Sequence, residues 1–172
     1  MQIKSLGFQT SLMFSRYSGT VTDKGSYTLI QTPSNPGYHW GNFIIFDRPP
    51  QKGAHKEWVQ LFQHEFPYYQ DPHHYVFAWE GDEPGDNKEF LDSNFELDSS
   101  VVLTTEHTTP PPNINNEIEI RKIDSDSDWK LVLELQNICA DPKFFTDYYA
   151  EFKQRQMLEY RKMAEEGKGC WF

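Results

Sequence analysis

At 172 residues the chain has room for one domain, or one domain and part of a second, and a 16% aromatic share lets Phe, Tyr and Trp carry much of the burial that a 37% hydrophobic total provides. A formal charge of −10, with no Lys/Arg cluster to offset it, excludes nucleic-acid binding, and the aromatic content excludes a disordered chain. No apolar run approaches the roughly 20 residues that span a bilayer, and the two cysteines, Cys139 and Cys170, are too few for a disulfide framework or a thiolate metal cage.

The N-terminal MQIKSLGFQTSLMF places Gln9, Thr10 and Ser11 where a signal peptide needs an apolar core, so the expectation is an unexported, cytoplasmic protein with reduced thiols and no membrane partner. GTVTDKGSYTLIQT (19–32) reads as a hairpin: Asp23-Lys24-Gly25 supplies the turn, and Tyr27, Leu29 and Gln31 alternate with Thr28, Ile30 and Thr32. NFIIF (42–46) is a short apolar strand that Pro49 and Pro50 stop. HKEWVQLFQHEF (55–66) spaces Trp58, Leu61, Phe62 and Phe66 as a helix closed by Pro67. HYVFAW (74–79) reads as a strand, GDEPGDN as a polar loop, KEFLDSN as a short helix and FELDSSVVLTTE as the strand or strand pair that follows.

TPPPNINNE (109–117) is a linker, because three prolines and an Asn-rich run suit neither a helix nor a sheet interior, and it divides a first unit, 1–108, from a second, 118–172. In the second unit IEIRKI (118–123) alternates as a strand. DSDSDWKLVLELQNI begins a helix with Leu131, Leu135 and Ile138 on one face, broadened by Trp129, Val132 and Leu133. A longer helix from about residue 146 to 166 carries Tyr149, Phe152, Tyr160 and Met163 as its stripe, and GCWF (169–172) opens a strand.

Several residue patterns invite a functional reading and meet a plainer one. Asp124, Asp126 and Asp128 hold the first, third and fifth positions of a calcium loop, but Trp129 stands where that loop needs glycine and Leu135 where it needs a bidentate Glu. Ser and Asp in front of an apolar helix are therefore read as its N-terminal cap. His55, His64, Asp71, His73 and His74 hint at a metal site, yet neighbouring histidines on a strand face opposite sides, so they are read as structural and no metal is expected. The acidic run at 82–98 is read as solvated loop rather than as a lure for a cationic amine. AEEGKG (164–169) contains Gly-x-Gly, but it follows a helix instead of opening one, which is C-cap chemistry and not a phosphate cradle.

The order strand, helix, long helix, strand, carried by IEIRKIDSDSDWKLVLELQNI, the helix ending near Glu166, and GCWF, resembles the opening of a GNAT (acetyl-CoA-dependent N-acetyltransferase) domain. PSNPGYHWGNFIIFDRPP, the helix after it and FLDSNFELDSSVVLT resemble the N-terminal part of bacterial tandem GNAT-like proteins, in which a degenerate unit precedes a complete one. The stretch FL-x-S-x-F-E (90–96) is similar to the late helix and strand of that fold, with Asn94-Phe95 in place of its usual Gly-Phe. The resemblance implies an α/β (α+β) fold with a mixed, mostly antiparallel sheet flanked by helices, acetyl-CoA as cofactor, and direct attack of a deprotonated amine on its thioester. It also implies splayed central strands and a Gln/Arg-x-x-Gly-x-Gly/Ala loop for the cofactor pyrophosphate; no match to that loop is found by sequence pattern, so the second unit is expected to be incomplete and the chain alone inactive.

Tyr38, Trp40, Asn42 and Trp79 are the candidates for lining a substrate groove, with aromatic core packing as the competing reading. No catalytic or cofactor-binding residue can be carried over. Three functions stay open: an acyltransferase acting on a small-molecule or protein amine, a non-catalytic GNAT-like module that binds a partner or dimerises through the C-terminal strand edge, and a small-molecule binder, unrelated to acyl transfer, that uses the aromatic-rich first half.

Overall fold

The structure is a computed structural model and describes residues 1–67, 74–142 and 147–172. It is mixed α/β, with five α-helices and a four-stranded sheet among the described residues, and divides into two compact units, Met1–Val102 and Leu103–Phe172. None of the described helices is long and apolar enough to cross a membrane.

The first unit opens with a helix absent from the sequence expectations, α1 (Leu6–Ser18). Ser5 caps it, its Oγ accepting the Phe8 N–H at 3.3 Å, while the Glu80 carboxylate accepts the Lys4 and Ser5 N–H groups at 2.9 and 2.5 Å. It stops at Gly19, where a Cβ would lie 2.1 Å from the Gln31 carbonyl oxygen, so only glycine lets the chain pass so close to its neighbour.

The expected hairpin follows as β1 (Thr20–Asp23) and β2 (Tyr27–Gln31). Gly25 takes φ 89° at the first position of its two-residue loop, and Asp23 Oδ1 accepts the Gly25 N–H at 2.7 Å. A 3₁₀ turn (His39–Gly41) leads into β3 (Phe43–Phe46), then come α2 (Ala54–Glu65), β4 (Phe77–Trp79) and α3 (Lys88–Asp92). The sheet order is β1-β2-β3-β4, antiparallel throughout except for the β3/β4 pair, which is parallel and joined through α2.

Helices on both faces explain why β2 and β3 are buried on both sides. Leu12 of α1 packs on Ile30, Phe43, Ile45 and Ala78; Trp58 and Phe62 of α2 pack with Phe90 of α3 on Leu29, Ile44 and Phe46. Each such side chain taken out of water stabilises the unit by about 1.5–3 kcal/mol. Two residues after α3, Asn94 takes φ 64°, the left-handed conformation that glycine supplies most freely and asparagine tolerates. The strand expected at 95–106 does not form: Phe95 is anchored 5.4 Å from Phe90, but Val101 and Leu103 are exposed and no neighbouring strand pairs with them.

The second unit packs α4 (Asp126–Ile138) on α5 (Asp147–Glu165). The α4 face expected to be buried is not: Leu131, Leu135 and Ile138 are exposed, while Trp129 is buried and Val132 and Leu133 are half-buried. Trp129 itself faces inward, where Trp171 meets it at 6.0 Å and stacks on Tyr160 at 5.4 Å. The expected strands at 118–123 and 169–172 are also absent as regular structure. They meet in one backbone hydrogen bond, Ile123 N–H to Trp171 C=O at 2.8 Å, leaving Ile118 and Ile120 exposed.

Candidate functional site

The four groove candidates occupy different places. Asn42 is 3% exposed and works as a staple: its Oδ1 accepts the Thr32 N–H at 2.9 Å, and its Nδ2 donates to the Asn35 and Tyr38 carbonyls at 3.1 and 2.9 Å. Tyr38 is half-buried, with its ring against Gly41, where a Cβ would lie 2.3 Å from the ring. Trp40 is 56% exposed, its ring edge-on to Phe43 at 5.8 Å on the α1 side of the sheet. Trp79 lies on the α2 side, its ring 6.1 Å from Trp58 and its Nε1 donating to the Glu83 carbonyl at 2.9 Å. Because Trp79 pairs with Phe46, it sits at the opposite end of β3 from Asn42. Tyr38, Trp40 and Asn42 come together in the turn before β3, and Trp79 does not join them.

The histidines are placed by packing. His74 is buried, its Nε2 3.0 Å from the Asn42 carbonyl and its ring 3.8 Å from that of His39. His55 meets Phe90 and Phe95 edge-on at 5.1 and 5.6 Å, and His64 lies in the last turn of α2. Asp71 and His73 lie outside the described residues. Among the described residues no three metal-ligating side chains gather into a possible site.

A pyrophosphate site needs a strand, then a loop presenting several backbone N–H groups, then a helix N-terminus. In the first unit that order exists at β3, residues 47–53 and α2. Arg48-Pro49-Pro50-Gln51-Lys52-Gly53 keeps the spacing of Gln/Arg-x-x-Gly-x-Gly/Ala at its first and last positions and has Gln51 at the inner glycine.

Three positions there offer a pyrophosphate no donor: Pro49 and Pro50 have no N–H, and the Ala54 N–H is engaged by the Gln51 carbonyl at 2.9 Å. The loop after β4, which carries Asp82, Glu83 and Asp86, leans on the same backbone: the Asp86 N–H donates to the Pro50 carbonyl at 2.7 Å, and at Gly85 a Cβ would lie 2.5 Å from that oxygen. Glu57 adds a negative charge in the first turn of α2, where an anion would otherwise be favoured. The residues present do not fit a cofactor pyrophosphate.

Nor do the strands beside this loop part. All three residues of β4 pair with β3, as Ile44↔Phe77, Ile45↔Ala78 and Phe46↔Trp79, and Phe46 stacks on Trp58 at 3.7 Å and 6°. On the α2 side of this pair Phe46, Trp58, Phe77 and Trp79 pack against one another.

In the second unit the Gly-x-Gly closes α5 as a C-cap. Gly167 takes φ 68°, the Gly167 N–H donates to the Ala164 carbonyl at 3.1 Å and the Lys168 N–H to the Met163 carbonyl at 2.8 Å. These are the two bonds of the Schellman motif, so these backbone groups serve the helix end and not a phosphate. Lys153, between α5 and α4, donates to Gln136 and Gln156 at 3.1 and 3.2 Å over the Phe152 ring, and burial pulls its ammonium below the usual lysine range.

Comparison of the chain with family models, with curated proteins and with solved structures finds no match.

Proposed function

We propose that Met1–Val102 is a degenerate GNAT-like unit that serves as an interaction module and does not bind acetyl-CoA. The observation that carries this reading is the closed β3/β4 pair beside a loop with two prolines: every residue of β4 pairs with β3, and Phe46, Trp58, Phe77 and Trp79 pack together on the pair's α2 side. The mixed sheet flanked by helices on both faces supports the GNAT-like part of the reading, and the left-handed Asn94 before Phe95 supports the match at the late helix.

A second reading, acetyl transfer from acetyl-CoA to an amine, is favoured by one feature, the strand–loop–helix order with Arg48 and Gly53 in place. Thermal unfolding separates the two. A ligand held at about 100 times its Kd stabilises by about 2.7 kcal/mol, enough to raise Tm by roughly 5–11 °C in a chain of this size. The module reading expects no rise with millimolar acetyl-CoA, and a saturating rise would overturn it.

A further inference from the structure

The hairpin fixes which backbone groups of β1 face outward. The Lys24 N–H donates to the Tyr27 carbonyl at 2.9 Å, and antiparallel pairs alternate back from there. Thr22↔Leu29 and Thr20↔Gln31 are therefore the hydrogen-bonded pairs, and Val21 and Asp23 turn their N–H and C=O groups away from β2. β1 is the edge of the sheet, so among the described residues those groups have no strand beside them. Along the same edge runs an open groove of about 700 Å³ between α1 and the hairpin, lined by Leu6, Met13 and Arg16 on one side and Val21 and Asp23 on the other. Leu6 and Met13 are 57% and 54% exposed, and Arg16 forms no ion pair among the described residues. Asp23 takes the Met1 ammonium and the Gly25 N–H, both on Oδ1.

We propose that the occupant of this edge is a second copy of the chain, paired antiparallel through β1 about a two-fold axis at Thr22; the proposal rests on the interaction-module reading. In that register Val21 stands opposite the partner's Asp23, and each residue exchanges N–H and C=O with the other. Val21 and Asp23 share the α1 face of the strand, so the partner's Asp23 carboxylate arrives beside Val21, on the side where Arg16 waits without a counter-ion. The two-fold axis repeats this charge match at the other end of the strand, and Leu6 and Met13 of both copies close over the seam. Other registers forfeit either the hydrogen bonds or the charge match.

The test is the solution mass of the full chain by sedimentation equilibrium, with circular dichroism to follow the fold and an acetyl-CoA titration of the same sample. The wild type is expected at twice its 20.3 kDa. Val21→Pro removes an outward N–H that β2 does not use and should give a folded monomer. Arg16→Glu should weaken the dimer at least about tenfold, and adding Asp23→Arg should restore it. A wild-type monomer, or a dimer that survives both Val21→Pro and Arg16→Glu, overturns the β1 contact. Should Val21→Pro fail to fold, an Arg16→Glu dimer of undiminished strength overturns it by itself. Saturable acetyl-CoA binding overturns the module reading, whereas a monomer that ignores acetyl-CoA removes only the β1 contact.

Discussion

Asn42 and Trp40 are two residues apart and have opposite weight in the fold. Replacing Asn42 by alanine leaves the buried Thr32 N–H without the acceptor that now satisfies it, while the Asn35 and Tyr38 carbonyls each lose one donor and keep the Tyr38 and Gly41 N–H groups. A buried polar group left unsatisfied costs about 1–3 kcal/mol, so Asn42→Ala is expected to destabilise the first unit by about 2 kcal/mol in chemical denaturation. Trp40→Ala loses one edge contact at an exposed position and should stay within about 1 kcal/mol. The sequence presents both as polar or aromatic residues ahead of an apolar strand. What separates them is the path of residues 32–42, which brings three backbone groups to one amide, and no local pattern encodes that path.

Among the elements, the start of α4 was the most legible and its buried face the least. Ser125 Oγ accepts the Asp128 N–H at 3.2 Å and Asp128 Oδ2 accepts the Ser125 N–H at 3.2 Å, so the Ser/Asp run is a capping box. Ser125→Ala should lower the stability of the second unit by about 1 kcal/mol. The Arg121 guanidinium beside Asp128, and then the Ser125 groups, hold this carboxyl well below the usual carboxylate range. Its folded pKa is depressed, so its contribution is complete above the ordinary value of 3.8 and is lost as pH falls through the lower folded value. Thermal melts should show a deficit in Asp128→Asn at pH 7 that shrinks below about pH 4; a deficit constant down to pH 2 would contradict this electrostatic account.

Elements that depend on distant partners were harder to read. IEIRKI alternates correctly, but alternation makes a strand only when another strand supplies its hydrogen bonds, and residues 118–123 have one such bond, to Trp171. α1 was missed for a related reason: part of its N-terminus is held by Glu80, more than seventy residues away in sequence. The exposed stripe on α4 follows from Trp171 choosing Trp129 as its neighbour, a choice made across the unit.

On the scale of the whole molecule, the α/β class, the hairpin and the helices at α2, α4 and α5 were legible because periodicity and turn chemistry are local. The site was not, since its character lies in how loops meet. The 47–53 loop lies between a strand and a helix, yet its two prolines lack an N–H and Gly85 packs against the Pro50 backbone. We propose that this unit associates with a second copy and does not bind acetyl-CoA. Calorimetric titration of the full chain with acetyl-CoA is the deciding measurement: no saturable heat is expected, and saturable binding near one per chain would overturn the proposal.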